Sequence, residues 1–213
     1  MENAQLRYKK VNPAAVEPAY AHDGDSGFDL YATEDVIIEP GFTEKVPTGL
    51  AFELPEGYEL QVRPKSGIST RTKLRVTLGT VDASFRGEVH VMVDNIFTVT
   101  QRYNTDEFGI TEYYPIPGET FDVKNEAATD VSYGLHSHGS YIIRKGEKVA
   151  QAVLAPVSQA EFVPLEEGEE LGGTSRGDGG FGSTGLNATG LHAHSEKVSE
   201  YRTNTTVYLE EGE

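Results

Sequence analysis

Residues 176–185 read RGDGGFGSTG, the stretch of this 213-residue chain best equipped to hold an anion. Five glycines leave backbone N–H groups free to curl around negative charge. Arg176 adds a cation, and Ser183 and Thr184, just after Gly182, add hydroxyl donors. Phe181 is the only large apolar residue there, too isolated to seed a core. An aromatic ring in such a loop suits a lid that stacks on a base, although the same composition also suits a plain flexible linker. Residues 79–87, GTVDASFRG, place Asp82 between the β-branched Val81 and a turn-prone Ala83-Ser84. A carboxylate at a hairpin shoulder is either a turn residue or a general base held on rigid strands. Residues 64–69, PKSGIS, put Lys65, the Ser66 hydroxyl and Gly67 at a strand-to-turn exit, suited to phosphate oxygens. In residues 25–32, DSGFDLYA, Asp29 lies between apolar neighbours and needs a partner or a metal-bound water if buried. In residues 146–151, GEKVAQ, Gln151 interrupts an otherwise apolar strand and calls for a specific hydrogen bond.

Strands must position these groups. Gly and Pro recur at short intervals between β-favouring runs at 35–39, 58–62, 88–93, 141–144 and 148–157. No window of a dozen residues keeps a helical apolar period with a cap at each end, and only a short helical turn fits 68–73. The pattern predicts an all-β domain of many short strands: a sandwich, a barrel or a jelly roll. Segment 97–138 separates two strand runs and carries Phe97, Tyr103, Phe108, Tyr113, Tyr114, Phe121 and Tyr133. A connection that long and aromatic predicts its own hairpin or a binding function. Residues 161–170 are acidic, 172–185 are Gly-rich and read as a mobile arm, and 186–213 follow with a strand-like run at 205–209.

Composition excludes several functions. The net charge of −16 disfavours non-specific nucleic-acid binding and docking on anionic membranes. No apolar run is long enough to span a bilayer, and residues 1–10 lack the apolar core of a signal peptide, so a cytoplasmic location is expected. The absence of Cys rules out disulfides, thiol catalysis and Cys-ligated zinc. The Asn-X-Thr triplets at Asn187 and Asn204 then read as chance matches.

In their order along the chain, the five stretches resemble the five motifs of the trimeric dUTPases (dUTP diphosphatases): DSGFDLYA, PKSGIS, GTVDASFRG, GEKVAQ and RGDGGFGSTG. The resemblance implies a jelly-roll β-barrel and a homotrimer with exchanged C-terminal arms, each site drawing on several subunits. It implies hydrolysis of dUTP to dUMP and pyrophosphate with Mg²⁺. Asp82 then corresponds to the catalytic acid that activates water. Phe85, where relatives most often carry Tyr, packs under the deoxyribose, and Leu78, Gly79 and Val81 read uracil through their backbone. Lys65, Ser66, Gly67 and Gln151 meet phosphates or metal-bound water, which Asp29 helps to position. Arg176, Gly182, Ser183 and Thr184 hold the terminal phosphates, and Phe181 stacks on the base. No side chain is expected to ligate the metal directly.

The chain departs from that pattern in four places. Lys65 stands where Arg is usual, which removes bidentate phosphate contact. Val76 stands where many relatives carry an Asn that reads uracil. Segment 97–138 is a family-atypical insert at a point where some phage-encoded relatives have one, so a phage origin and a bacterial host are expected. It reads either as an extra hairpin covering the barrel or as a surface for a protein partner. Residues 186–213 extend past the usual chain end. The expected organisation is therefore a barrel over 1–171 containing the insert, a lid arm over 172–185 and an extension of unknown role. His-X-His occurs at His136/His138 and His192/His194; on a strand it would put both rings on one face, as a metal needs, but exposed polar histidines are the expectation. Two rival functions stand beside hydrolysis. One is a nucleotide-sensing regulatory protein using the insert to hold a partner. The other is a dCTP deaminase-like enzyme, which Lys65-Ser66-Gly67 and Asp94 disfavour.

Overall fold

The computed structural model describes residues 4–98, 116–175 and 177–178, together with the backbone of 102–105 and 111–114. Its strands are β1 (Arg7–Lys10), β2 (Phe28–Tyr31), β3 (Val36–Ile38), β4 (Thr43–Glu53), β5 (Tyr58–Pro64), β6 (Leu74–Val76), β7 (Gly79–Val81), β8 (Glu88–Asn95), β9 (Arg102–Thr105), β10 (Thr111–Tyr114), β11 (Thr120–Phe121), β12 (Ser140–Ile143) and β13 (Lys148–Pro156). One short helix, α1, spans Ser66–Arg71. The described fold is all-β and jelly-roll-like: sheets β1-β4-β8-β6, β11-β12-β3 and β2-β13-β5-β7, with β9-β10 as a separate hairpin. No helix among the described residues is long and apolar enough to cross a membrane. The chain divides into two compact units, Met1–Ala160 and Glu161–Glu213.

Alternation explains the strands. In β8, Val89, Val91 and Val93 point into the core while His90 faces solvent. β12 is buried along its whole length, which matches the apolar run Tyr141–Ile143 that follows Ser140. Leu30, Ile38, Val46, Leu60, Leu74, Val91 and Val149 meet in one core drawn from all three sheets. Burial at this scale supplies most of the fold's driving force, at about 25 cal/mol per Å² of apolar surface. Buried Asn95 knits the sheets together: its amide donates to the carbonyls of Ile38 and Gly139, both at 2.9 Å, and its oxygen accepts from Phe97 N–H at 2.9 Å.

The longest strand, β4, is absent from the sequence-based expectation because Pro47 and Gly49 break its pattern. In the fold, the pairing with β8 shifts register between Pro47 and Ala51. Gly49 takes φ +69° with Ala15, Asn12 and Thr33 pressed against it, and a Cβ there would lie 2.7 Å from that of Ala15.

Segment 97–138 carries its own hairpin, β9-β10. Residues 116–139 lie on the barrel through a half-buried acid. Glu39 accepts from Ser137 N–H (3.1 Å) and Ser140 Oγ (2.8 Å), and pairs with His136 Nδ1 (2.9 Å). Burial pushes the Glu39 carboxyl up, but the hydrogen bonds from Ser137, Ser140 and His136 outweigh it and hold the group below the ordinary glutamate range. His138 packs edge-on against Phe97 and Phe121, with centroids at 5.6 and 5.7 Å. This corrects the expectation of exposed histidines: both rings are half-buried, and they serve different contacts because 136–138 is a turn with a single bridge at Ser137, not a strand. His192, His194 and the strand expected at 205–209 lie outside the described residues.

Candidate functional site

β5 organises the chemistry, because its two ends carry the two groups of residues singled out above. At the C-terminal end, Pro64 closes the strand and Lys65 stays extended before α1 begins. Ile68 anchors that helix in the core, which leaves Ser66 and Gly67 exposed on its first turn. Across the sheet, Asp29 of β2 pairs in register with Gln151 of β13, and Gln151 with Arg63 of β5. Directly opposed residues share a face, so these three polar side chains form one row. The adjacent row, Leu30 with Ala150, faces the core and is fully buried.

The Asp29 side chain is only 11% exposed. Its Oδ1 accepts from the Lys65 ammonium, and its Oδ2 from Lys148 Nζ at 2.7 Å. Burial raises the Asp29 carboxyl, but the hydrogen bonds from Lys148 and Lys65 and their charges outweigh it, holding the acid below the ordinary aspartate range. The hydrogen bond to Asp29, and its charge, lift Lys148 above the usual lysine range.

Lys148 was not singled out in the sequence, for a physical reason. Strict alternation puts residues 148 and 151 on opposite faces. A bulge between Lys148 and Ala150 cancels one step, so Lys148 sits opposite Tyr31 on the Asp29 face. Its ammonium lies 5.8 Å from the centroid of the Tyr31 ring.

At the N-terminal end of β5, Leu60 pairs with Val81 and Val62 with Gly79. β7 is the edge of its sheet among the described residues, so one side of its backbone has N–H and C=O groups to offer a ligand. Leu78, 75% exposed, leads into it. Asp82 follows, exposed, and its carbonyl accepts from Phe85 N–H at 3.0 Å to close a turn. Arg86 braces that turn through the carbonyls of Ala83 (2.6 Å) and Phe85 (2.8 Å). Phe85 folds over Gly87, where a Cβ would come within 2.6 Å of the ring. Asp82, Ala83 and Ser84 line an open cavity of about 660 Å³ with Glu56, Tyr58 and Val157.

The fold therefore gathers Asp29, Lys65, Ser66, Gly67 and Gln151 at one end of β5, and Leu78, Gly79, Val81, Asp82 and Phe85 at the other. Asp82 follows the residue opposite Leu60, whereas Lys65 follows Pro64. At about 3.3 Å per residue the two ends lie roughly 20 Å apart. Arg176, Phe181, Gly182, Ser183 and Thr184 lie outside the described residues. No group of three His, Asp or Glu side chains among the described residues has the arrangement of a metal site.

The dUTPase family model matches residues 14–107. The deoxyuridine 5'-triphosphate nucleotidohydrolase of Nautilia profundicola is 39% identical over 183 residues, covering 85% of this chain and 99% of that protein. The dUTPase of Staphylococcus bacteriophage 80alpha with dUPNHPP superposes with a TM-score of 0.72 at 29% identity, covering 85% of this chain and 99% of its own. A mutant dUTPase from phage phi11 of S. aureus, described with a coordinated structural Mg(II) ion, matches with a TM-score of 0.64 at 28% identity, covering 78% and 99%.

Proposed function

The chain belongs to the dUTPase family, and from that premise we infer that it hydrolyses dUTP to dUMP and pyrophosphate. Asp82 takes a proton from a water as its oxygen attacks the α-phosphorus in line. The bond from that phosphorus to the bridging oxygen breaks, and pyrophosphate leaves. General-base assistance of this kind is typically worth about 10²–10⁴ in rate. The free side of β7 reads uracil through the backbone at Gly79 and Val81. A cytosine edge, with donors and acceptors reversed, would leave those groups unpaired. Phe85 packs under the deoxyribose. Lys65, Ser66 and the N–H of Gly67 bind phosphate oxygens, and Gln151 reaches phosphate or metal-bound water beside Asp29. Arg176, Gly182, Ser183, Thr184 and Phe181 serve as the lid arm over the terminal phosphates and the base.

Mg²⁺, bound with the triphosphate, neutralises charge and fixes the phosphates. The donor set suits contact through water. Both Asp29 oxygens already accept from lysines, and Gln151 supplies a neutral amide.

The observation that carries this reading is the separation of Asp82 from the Asp29–Lys65–Gln151 row. Asp82 and that row are separated by roughly 20 Å of strand, which favours a site where Asp82 of one copy meets the phosphate-binding row of another. That supports a homotrimer with shared sites. The setting read from the sequence, the cytoplasm of a bacterial host, goes with the same function. The deaminase reading loses ground, because Asp94 is occupied by the hydroxyls of Thr43 (2.5 Å) and Thr77 (3.0 Å). A protein partner at the insert would meet Tyr133 and Leu135, which stand 78% and 68% exposed.

Pyrophosphate release from dUTP, dCTP, dTTP and UTP with Mg²⁺, repeated with Asp82→Asn, tests the assignment. Turnover of dUTP alone, lost in the variant, is expected. Turnover of dCTP, or a fully active variant, overturns it.

A further inference from the structure

We propose that Lys148 is a positioning residue that keeps the Asp29 carboxylate in place when Lys65 turns from Asp29 to the phosphates of the nucleotide. This inference rests on the hydrolytic reading above. As the chain folds, the two Asp29 oxygens are divided between two lysines: Lys65 on Oδ1 and Lys148 on Oδ2 at 2.7 Å. The two differ in setting. Lys65 ends a strand beside the exposed Ser66 and Gly67, where a phosphate would arrive, and its side chain is 24% exposed. Lys148 stands on the bulge, 47% exposed, with its ammonium toward the Tyr31 ring.

A triphosphate draws Lys65 toward its own oxygens. Without a second cation, that movement would strand a carboxylate that is only 11% exposed, and an unpaired charge in such a place is costly. Lys148 removes that cost, so Lys65 is released to the substrate while Asp29 stays aligned beside Gln151. The bulge is what makes this possible, since regular pairing would turn Lys148 to the opposite face. Lys65 in place of the family's Arg sharpens the need. An ammonium concentrates its charge at one point and lacks the planar fork that could hold carboxylate and phosphate together.

The experiment is steady-state dUTP hydrolysis by the full chain with Mg²⁺, comparing Lys148→Met, Lys148→Arg, and Lys148→Met in an Asp29→Asn background. KM is expected to rise about tenfold in Lys148→Met with kcat within about threefold, and to return to near the unmodified value with Arg. In the Asp29→Asn background the Met substitution is expected to change KM by less than about twofold, because its target charge is gone. An unchanged KM in Lys148→Met overturns the proposal. So does an equal rise in both backgrounds, which would put Lys148 directly on the phosphates. Should Lys148→Met fail to fold by circular dichroism, Tyr31→Leu takes its place. Loss of the ring that orients the ammonium should raise KM about two- to threefold, and no rise overturns the proposal. Lack of turnover by the unmodified chain removes the hydrolytic reading itself, whereas turnover with an unmoved KM in the variants removes this inference alone.

Discussion

The two ends of β5 carry acids in opposite circumstances. At the Pro64 end, Asp29 is mostly buried and held between Lys65 and Lys148. At the Tyr58 end, Asp82 is exposed and lines an open cavity together with Glu56 and Tyr58. The first is a finished piece of electrostatics within one chain. The second is a carboxylate held by a braced turn and left open to solvent. The open end suits the proposed catalytic base, which has to meet water. The closed end suits a carboxylate that orders the lysines proposed to bind phosphate. Under the proposed function, splitting the two along about 20 Å of strand makes assembly a condition of activity.

The strongest test of that contrast removes one charge at each end. Asp82→Asn should lower kcat by about 10²–10⁴ while leaving thermal stability unchanged, since the side chain lies outside the core. Asp29→Asn should instead lose about 1–2 kcal/mol of stability, read by denaturant unfolding, because it weakens two charge-assisted hydrogen bonds in a mostly buried site. Equal profiles for the two variants would erase the distinction.

Next in size is subunit mixing. Inactive Asp82→Asn and Lys65→Ala chains, unfolded and refolded together at equal amounts, should recover about a quarter of unmodified activity if each site takes Asp82 and Lys65 from different copies. No recovery would place both residues in one subunit's site.

A smaller effect concerns acid. The folded pKa of Asp29 lies below its unfolded value. Its contribution to stability is therefore complete above the ordinary aspartate range and is lost as pH falls through the folded value. Stability of the unmodified chain should fall more steeply than that of Asp29→Asn between about pH 5 and 2. Parallel curves in a pH series of thermal unfolding would contradict the pairing. The smallest effect is Lys65→Arg, which should lower KM for dUTP by about two- to fivefold by restoring a planar fork; an unchanged KM would mean that phosphate contact at this position is not limiting.

Much of this was legible in the primary structure. β5 and β8 appear in the sequence close to their true bounds, because burying one face leaves a period-two imprint, and β13 does so through its apolar run despite its bulge. The helical turn expected at 68–73 is shifted to Ser66–Arg71, since Ile68 is the sole buried anchor of a helix too short to show a period. β2 escaped notice because Asp29 interrupts it, and β1 because all four of its residues are exposed. Asp29 was readable as an acid in need of a partner, but the partner's identity was not.

What the sequence determined by itself is the chemistry: an all-β chain, an acid at a hairpin shoulder, and lysine, serine and glutamine at strand ends, in the order of a known family. Local residue types and short spacings carry that information. Only the tertiary structure decided which of those groups meet. The bulge that turns Lys148 toward Asp29, the register that sets Gln151 beside it, and the length of β5 that keeps Asp82 away are products of strand pairing between distant segments. A one-residue shift there moves a side chain to the other face of the sheet and leaves the composition of the chain untouched.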